Sequence, residues 1–283
     1  MQGQSRWKLP AFVALALVAC AMFAAVALAA TITGDDGDNN LHGTKAADVI
    51  DAKGGNDIVH ARPGDDQVIA GAGDDRVFAG FGNDAVTGDD GNDLVHGGKG
   101  NDNIDSGIGD DRVFGGMDND TLMGGDGQDR MFGGRGNDTS DGGPANDRMA
   151  GGEGNDVQHG GPGNDVIFAN RGADESFGDE GDDTLWALAR ADVRADGNAT
   201  VDTLHGGPGN DTFRTRDGEA DKIDCGDGTD TAFLDNQDVI VDATAANPNG
   251  SCERVVRRAP RPRQDSGENQ QESPKEDNGS AQQ

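Results

Sequence analysis

The 283-residue sequence contains little of what an ordinary globular domain packs into its core. It has no Tyr, two Trp and an aromatic content of 4%, and its mean hydropathy is −0.69. Basic residues are also scarce, with 23 Lys and Arg against 53 Asp and Glu, so the net charge is −30 at pH 7. Low hydrophobicity with high net charge is typical of disorder, and such a chain lacks the basic face that nucleic acid requires. The sequence therefore predicts either disorder or a fold that depends on cations.

The sequence also lacks the short motifs that mark common catalytic and phosphate-binding sites. It contains no His-Glu-x-x-His, no Gly-x-Ser-x-Gly and no phosphate-binding loop. No segment fits the EF-hand loop, whose Gly and Glu positions are missing. We therefore predict that the chain is not an enzyme and assign no catalytic residue.

The N-terminus has the pattern of an export signal. Arg6 and Lys8 precede an apolar run over 11–30 that ends in small residues, as in a secretory signal peptide. We expect residues 1–29 to be removed and the protein to be secreted or associated with the cell surface. Two alternatives stay open. The run is long enough for an uncleaved membrane anchor, and Leu17–Cys20 resembles a lipoprotein box that would be lipidated at its Cys.

A nine-residue repeat fills most of the remaining chain. Asp recurs at every ninth position, 16 times without a break in phase. The residue two before this Asp is Gly in 13 copies, the residue before it is Asn or Asp in 13, and the residue two after it is apolar in 13. A merely acidic low-complexity tract would not hold four positions in one register. The repeat Asp residues are Asp48, Asp57, Asp66, Asp75, Asp84, Asp93, Asp102, Asp111, Asp120, Asp129, Asp138, Asp147, Asp156, Asp165, Asp174 and Asp183.

Each position of the repeat has a physical reason that points to calcium. Gly adopts positive φ without strain, and Asp supplies the hard oxygen that Ca²⁺ takes together with backbone carbonyls. We expect Gly-rich turns of about six residues to alternate with strands of about three, and two repeats to close one coil. Coils would stack about 4.8 Å apart with parallel strands, each apolar residue pointing inward. The predicted fold is all-β, a calcium-dependent parallel β-roll with two nonapeptides per coil.

The repeat resembles the RTX, or hemolysin-type, calcium-binding nonapeptide Gly-Gly-x-Gly-x-Asp-x-apolar-x. Clear copies are Gly97–Asp105, Gly151–His159 and Gly160–Phe168, and the resemblance covers about residues 34–185 and 202–213. It implies that each ion lies between two turns 18 residues apart in the chain. Two stacks of turns then hold about a dozen ions, with a ceiling of about 14. The members best known for this repeat export through a C-terminal signal, whereas this chain carries an N-terminal one.

The resemblance implies two sets of calcium ligands. The carboxylates are those of Asp48, Asp57, Asp66, Asp75, Asp84, Asp93, Asp102, Asp111, Asp120, Asp129, Asp138, Asp147, Asp156, Asp165, Asp183, Asp202 and Asp211. The backbone carbonyls are those of Gly55, Gly64, Gly73, Gly82, Gly91, Gly100, Gly109, Gly127, Gly136, Gly154 and Gly163. Asp174 is left out because its repeat lacks both the paired Gly and the apolar strand residue.

The organisation after the array follows from one break in phase. The roll is predicted over residues 30–185. The spacing from Asp183 to Asp202 is one residue longer than a coil, so we expect residues 186–201 to form an inserted loop. Residues 202–256 are predicted to form the final repeats and a C-terminal cap, which a solenoid needs to cover its last coil.

Two cysteines and a polar tail complete the chain. Cys225 and Cys252 are the cysteines left after removal of the signal, and in an exported chain they form either a disulfide, which we favour, or two free thiols. Residues 257–283 are rich in Pro, Gln, Ser and Glu and are predicted to be disordered.

All five His residues stand three positions after a repeat Asp or its equivalent, Asn39. His42 and His60 are 18 residues apart, so we expect them to stack on one face of the roll. They are either ligands of a shared transition metal or ordinary solvent-facing strand residues.

The biological role is predicted less sharply than the metal. Calcium is the predicted partner, nucleic acid is not expected, and membrane contact is expected only if the N-terminal segment is retained. A structural or adhesive role at the cell surface is the first hypothesis. A secreted calcium buffer is the second, and an accessory chain of a toxin or hydrolase is the third. No sequence feature identifies a protein or glycan partner.

Overall fold

A computed structural model describes residues 28–187 and 201–259 as two long parallel sheets. All regular secondary structure in these segments is β-strand, which confirms the predicted all-β parallel β-roll. Within them no helix is long and apolar enough to cross a membrane. The predicted signal peptide, most of the inserted loop and most of the tail fall in residues 1–27, 188–200 and 260–283, outside the described residues.

Successive strands alternate between the sheets. Sheet 1 contains twelve strands: β1 (Thr31–Thr33), β3 (Val49–Asp51), β5 (Gln67–Ala72), β7 (Ala85–Asp90), β9 (Asn103–Ile108), β11 (Thr121–Asp126), β13 (Thr139–Asp141), β15 (Val157–His159), β17 (Glu175–Phe177), β19 (Thr203–His205), β22 (Lys222–Asp224) and β25 (Val239–Ile240). Sheet 2 also contains twelve: β2 (Asn40–His42), β4 (Ile58–Pro63), β6 (Arg76–Phe81), β8 (Leu94–Lys99), β10 (Arg112–Met117), β12 (Arg130–Arg135), β14 (Arg148–Glu153), β16 (Val166–Arg171), β18 (Thr184–Trp186), β21 (Thr212–Thr215), β24 (Thr231–Leu234) and β26 (Arg254–Arg257). A third, two-stranded sheet pairs β20 (Pro208–Gly209) with β23 (Asp227–Gly228).

Neighbouring strands of a sheet pair in parallel with an offset of 18 residues along the repeat array. Val77 of β6 pairs with Val95 of β8, which pairs with Val113 of β10. Each nonapeptide therefore carries the chain from one sheet to the other, and two nonapeptides close one coil, as predicted.

The core is thin because each strand contributes mainly one inward side chain. Val59, Ile104 and Met149 are fully buried, and each lies on its equivalent in the next coil. The three repeats with a polar residue at this position are consecutive members of sheet 1, since Ser140 pairs with Gln158 and Gln158 with Ser176. The side chains of Gln158 and Ser176 are hydrogen-bonded at 3.3 Å, so the roll keeps one polar patch inside.

Many strands are longer than the three residues predicted. Strands β4 to β12 each contain six residues, because pairing continues through the two Gly positions that follow the strand. Gly98 pairs with Gly116 and has φ +116°, and a Cβ there would collide with the carbonyl of Gly80. Pro144 and Pro162 follow β13 and β15 at the next position, where a missing N–H ends the ladder early.

Two predicted boundaries differ from the structure by a few residues. Trp186, placed at the start of the inserted loop, is the last residue of β18, and its ring stacks on Phe168 at 5.7 Å. Arg257, placed in the disordered tail, ends β26, and its Nη1 donates to the carbonyls of Asp235 and Asp238 at 3.0 Å. Both residues have partners in the preceding coil, which local composition does not reveal.

The C-terminal coils extend the two sheets rather than forming a separate cap. Strands β22 and β25 add to sheet 1, and β24 and β26 add to sheet 2. Cys225, which follows β22, and Cys252, which precedes β26, form a buried disulfide with a Cα–Cα distance of 5.3 Å. The bond therefore ties the last strands of the two sheets together.

The thin core makes each buried apolar residue important for stability. We predict that Ile104→Ala lowers the free energy of unfolding by about 2–5 kcal/mol, because it opens a cavity in a single apolar layer. Ile108→Ala, four residues along the same strand, is the matched control. Ile108 is 56% exposed, so its loss is expected to cost less than about 0.5 kcal/mol. Urea unfolding in saturating calcium measures both, and equal effects would contradict this description of the core.

Candidate metal centre

Every repeat Asp lies where a turn meets a strand, with its side chain inside the roll. Asp57 immediately precedes β4, and Asp102 immediately precedes β9. All 16 repeat Asp residues are only 1–2% exposed. Burial of a carboxylate without a partner is costly, so this arrangement requires compensating positive charge.

The buried carboxylates form two continuous columns along the roll. In the repeat array, the backbone N–H of one Asp donates to Oδ1 of the Asp one coil further on, at 2.7–2.8 Å. The first column contains Asp48, Asp66, Asp84, Asp102, Asp120, Asp138, Asp156, Asp174, Asp202, Asp221 and Asp238. The second contains Asp57, Asp75, Asp93, Asp111, Asp129, Asp147, Asp165, Asp183, Asp211 and Asp230, and ends on Glu253.

The second carboxylate oxygen, Oδ2, is buried without a hydrogen-bond partner in most column residues. A buried acceptor left without a partner costs about 1–3 kcal/mol, and more when it is charged. A cation placed between the coils would satisfy these atoms. The residues with such an Oδ2 include Asp57, Asp66, Asp75, Asp84, Asp93, Asp102, Asp111, Asp120, Asp129, Asp138, Asp147, Asp156, Asp165, Asp183, Asp211, Asp221 and Asp230.

A small space beside Oδ2 is kept open by glycine at the first position of the repeat. An ideal Cβ added to Gly97 would lie 2.5 Å from Asp102 Oδ2 and 2.7 Å from the carbonyl oxygen of Gly115. The same arrangement recurs at Gly115 and Gly133. A carboxylate and a carbonyl oxygen from adjacent coils thus converge, and both are ligands that Ca²⁺ prefers. The residues present fit a calcium ion.

Not every turn keeps this space equally open. Five copies carry Ala at the first position, and their side chains are fully buried. The added methyl groups extend the apolar core toward the column in those coils. The five are Ala52, Ala61, Ala70, Ala79 and Ala169.

The glycine carbonyls predicted as ligands lie toward the other carboxylate oxygen. A Cβ on Gly64 would lie 2.7 Å from Asp66 Oδ1 and 2.5 Å from the carbonyl oxygen of Ala46, so this part of the turn borders Oδ1. The carbonyls beside Oδ2, such as those of Gly115 and Gly151, belong to the first repeat position and were missed by the sequence analysis. The recurrence of a small residue there at every ninth position was the available signal.

Five further carboxylates belong to the columns but were not predicted. Asp174 occupies its regular place, with Oδ1 accepting the N–H of the Asp one coil earlier at 2.8 Å, although its repeat lacks the surrounding consensus. Asp221, Asp230, Asp238 and Glu253 continue the columns at spacings of 19, 19, 17 and 23 residues. A search at a fixed period of nine cannot find residues whose coils have changed length.

Burial raises the pKa of the column carboxylates, and neighbouring carboxylates raise it further. The pKa of Asp120, Asp147 and Asp183 rises to about 8 in each case. Desolvation is the largest cause, and the hydrogen bond from the backbone N–H offsets it only in part. In the absence of a cation, the folded roll therefore holds these groups poorly in their charged form.

Side chains alone do not build a metal cage in the part of the chain that the structure describes. Nowhere in residues 28–187 or 201–259 do three or more His, Cys, Asp or Glu side chains group as a metal site. A cation in the columns would thus need backbone carbonyls to complete the six to eight ligands of Ca²⁺.

The histidines lie on the outer surface of the sheets. The rings of His42 and His60 stack at 5.1 Å with an interplanar angle of 12°, and His60 stacks on Phe78 at 4.9 Å. His159 and His205 likewise stack on either side of Phe177 at 4.4 and 4.6 Å. The rings form packed ladders with Phe, which favours the reading as strand residues over that as transition-metal ligands.

Comparison with protein families gives an independent view of the repeat. The model of the RTX calcium-binding nonapeptide repeat, which represents four copies, matches the chain in ten overlapping segments. Together they cover residues 33–185 and 196–232, about two thirds of the chain. No curated protein matches the chain. The repeat, the roll and the carboxylate columns agree with this match, and the chain belongs to the family of RTX calcium-binding nonapeptide repeat proteins.

Proposed function

We propose that the protein binds Ca²⁺ in two columns, between successive coils of the roll, through the column Asp carboxylates and the carbonyls of the adjacent turns. The observation that carries this proposal is the row of buried Oδ2 atoms without hydrogen-bond partners. RTX repeats bind calcium through a β-roll, which is a structural arrangement rather than a catalytic one. The ceiling of about 14 ions is expected to be lowered where Ala replaces Gly beside Oδ2.

Calcium is also the proposed folding trigger. Without it, both columns would place buried carboxylates next to one another in an apolar interior, and the chain carries a net charge of −30. The apolar layer is too thin to offset that cost, so the calcium-free chain is unfolded at neutral pH. A chain exported through its N-terminal signal would therefore fold outside the cell, where calcium is plentiful.

The proposed role is structural or adhesive at the cell surface. The described residues form one long roll whose outer faces hold ordered ladders of side chains, among them the rings of His42, His60 and Phe78. An ordered surface of this kind suits contact with another surface, whereas a calcium buffer requires none. Finding the protein anchored on the cell surface would support this role, and finding it wholly free in the medium would favour a buffer.

The direct test is a calcium titration of the chain from residue 30 onward. Far-ultraviolet circular dichroism is expected to show a cooperative transition from coil to β-structure, and calorimetry is expected to count about a dozen ions. The same spectrum in chelator and in calcium would contradict the proposal.

A pair of neighbouring substitutions tests the assignment of the column carboxylates. Asp111→Asn keeps the amide oxygen that accepts the N–H of Asp93 but removes the charge. We expect a higher calcium concentration at the folding midpoint and about one ion fewer. Asp110→Asn is the matched control, because Asp110 is exposed and its only described contact, with the N–H of Gln128, is one that Asn also makes. Equal midpoints for the two variants would rule out the buried column as the site.

The raised pKa values predict how the calcium-free chain responds to pH. The folded-state pKa of Asp120, Asp147 and Asp183 is about 8, above the unfolded value of about 3.9. The folded state then binds more protons than the unfolded state, so stability falls as pH rises from about 4 to about 8. In chelator, circular dichroism is expected to show more β-structure at pH 5 than at pH 8. A spectrum that does not change between these values would contradict the pKa argument.

A further inference from the structure

The two sheets of the roll carry opposite charge. The strands of sheet 2 contain eleven Arg and Lys residues and one acidic residue, Glu153. The strands of sheet 1 contain eight Asp and Glu residues and one basic residue, Lys222. We call the outer surface of sheet 2 the basic face and that of sheet 1 the acidic face. A protein with a net charge of −30 has thus collected about half of its basic residues on one face.

The basic face places like charges side by side. Arg112 pairs in register with Arg130, and Arg130 with Arg148. Like charges on neighbouring strands repel. Arg135 and Arg171 share Glu153 as an ion-pair partner, but Arg112 and Arg130 form no ion pair with any residue that the structure describes. The roll itself therefore leaves part of this charge without compensation.

The aromatic rings of the basic face present their edges outward. His60, Phe78, His96 and Phe114 stack face to face at 4.6–5.3 Å with interplanar angles of 7–11°. Because each ring covers the face of the next, the ladder offers no open ring face on which a sugar would stack. The ring edges carry the positive part of the quadrupole, so they add to the attraction of the Arg residues for anionic oxygen.

The edge rows of the two faces alternate in a complementary way. On sheet 2, Phe81, Lys99, Met117 and Arg135 follow one another in register. The corresponding row of sheet 1 is Ala72, Asp90, Ile108 and Asp126.

Both rows advance by one coil per residue, so their spacing along the roll is the same. All of their side chains are exposed, and three of the apolar ones, Phe81, Ile108 and Met117, are 48–61% exposed. Opposed to each other, the rows would set apolar against apolar side chains and Asp against Lys or Arg.

From these observations we propose that the basic face of one copy of the protein packs against the acidic face of a second copy. Each roll has both faces, on opposite sides, so the contact is heterologous and repeats from copy to copy into an open-ended stack. The inference rests on the proposed function, because the faces exist only in the calcium-folded roll, and bound calcium also reduces the repulsion between two strongly acidic chains.

A second copy fits these surfaces better than another polyanion does. An acidic polysaccharide would satisfy the basic face but would leave the acidic face and the exposed Ile108 uncovered. A second copy covers both faces at once, and its carboxylates stand at the same interval along the roll as the Arg and Lys residues that they meet. The complementary charge and equal spacing therefore favour self-association.

The test is sedimentation velocity of the protein in saturating calcium at several protein concentrations. We expect particles of roughly two monomer masses and above, which dissociate at about 1 M salt, where charge interactions are screened. Circular dichroism and an ion count on the same samples report folding separately. A folded, calcium-loaded protein that stays monomeric at low salt would overturn the inference and leave the calcium-binding proposal standing.

Charge reversal on each face gives a sharper test. The basic-face variant is Lys99→Glu, Arg112→Glu and Arg130→Glu, and the acidic-face variant is Asp90→Lys, Asp105→Lys and Asp126→Lys. Each variant has two faces of like charge, so each is expected to be monomeric, whereas an equimolar mixture is expected to regain large particles. The charge-matched control for the basic-face variant is Arg261→Glu, Arg263→Glu and Lys275→Glu, which lies after the described residues and is expected to associate like the unmodified protein.

Two outcomes of this experiment would overturn the proposal. A mixture that stays monomeric would show that the two faces do not recognise each other. Retention of the monomeric protein on an alginate column, lost in the basic-face variant, would assign the basic face to an acidic polysaccharide instead.

Discussion

The structure depends on one constraint, which is that two columns of carboxylates have been moved out of water. Asp102 and its equivalents are 1–2% exposed, and each donates its N–H to the carboxylate of the next coil. This ladder satisfies Oδ1 but leaves Oδ2 of residues such as Asp57 and Asp111 without a partner. A fold with so many buried anions is not stable on its own, because their desolvation raises each pKa and their mutual repulsion adds to it. Cation binding and folding are therefore coupled, and each coil supports the next because it contributes oxygen atoms to the same gap.

The same constraint accounts for the weak core. An ordinary domain of this size would bury a thick layer of large side chains, whereas here each strand contributes about one. A polar patch at Ser140, Gln158 and Ser176 is tolerated within that layer. The column glycines have a matching purpose, since a side chain at Gly97 or Gly133 would fill the space between the carboxylate and the carbonyl. Glycine is usually unfavourable in strands because of its entropy, so its frequency here reflects the space that the columns need.

Much of this arrangement could be predicted from the sequence because the repeat is rigidly periodic. The period of nine located Asp48 to Asp183, the inward apolar positions and the two-repeat coil. It did not locate Asp221, Asp230 and Glu253, because the final coils have other lengths, and it assigned carbonyls on the Oδ1 side of the carboxylate. The position of a carbonyl depends on how one coil lies over the next, which sequence spacing does not specify. The strand positions of Trp186 and Arg257 were missed for a related reason, since both are held by contacts with a different coil.

The charge on the two faces shows a second period in the sequence that the first one conceals. The nonapeptide specifies the turn, the carboxylate and the inward residue, but it leaves the outward strand positions open. Consecutive nonapeptides lie in different sheets, so a property of one face appears at every second copy and has a period of 18. The residue after the repeat Asp is Arg at positions 76, 112, 130 and 148, all in sheet 2, and the repeats of sheet 1 have no Arg there. Averaging over all nonapeptides mixes the two faces and yields only a strongly acidic protein. Separating odd from even copies shows that the roll combines an acidic surface with a basic one, a property of the fold rather than of the composition.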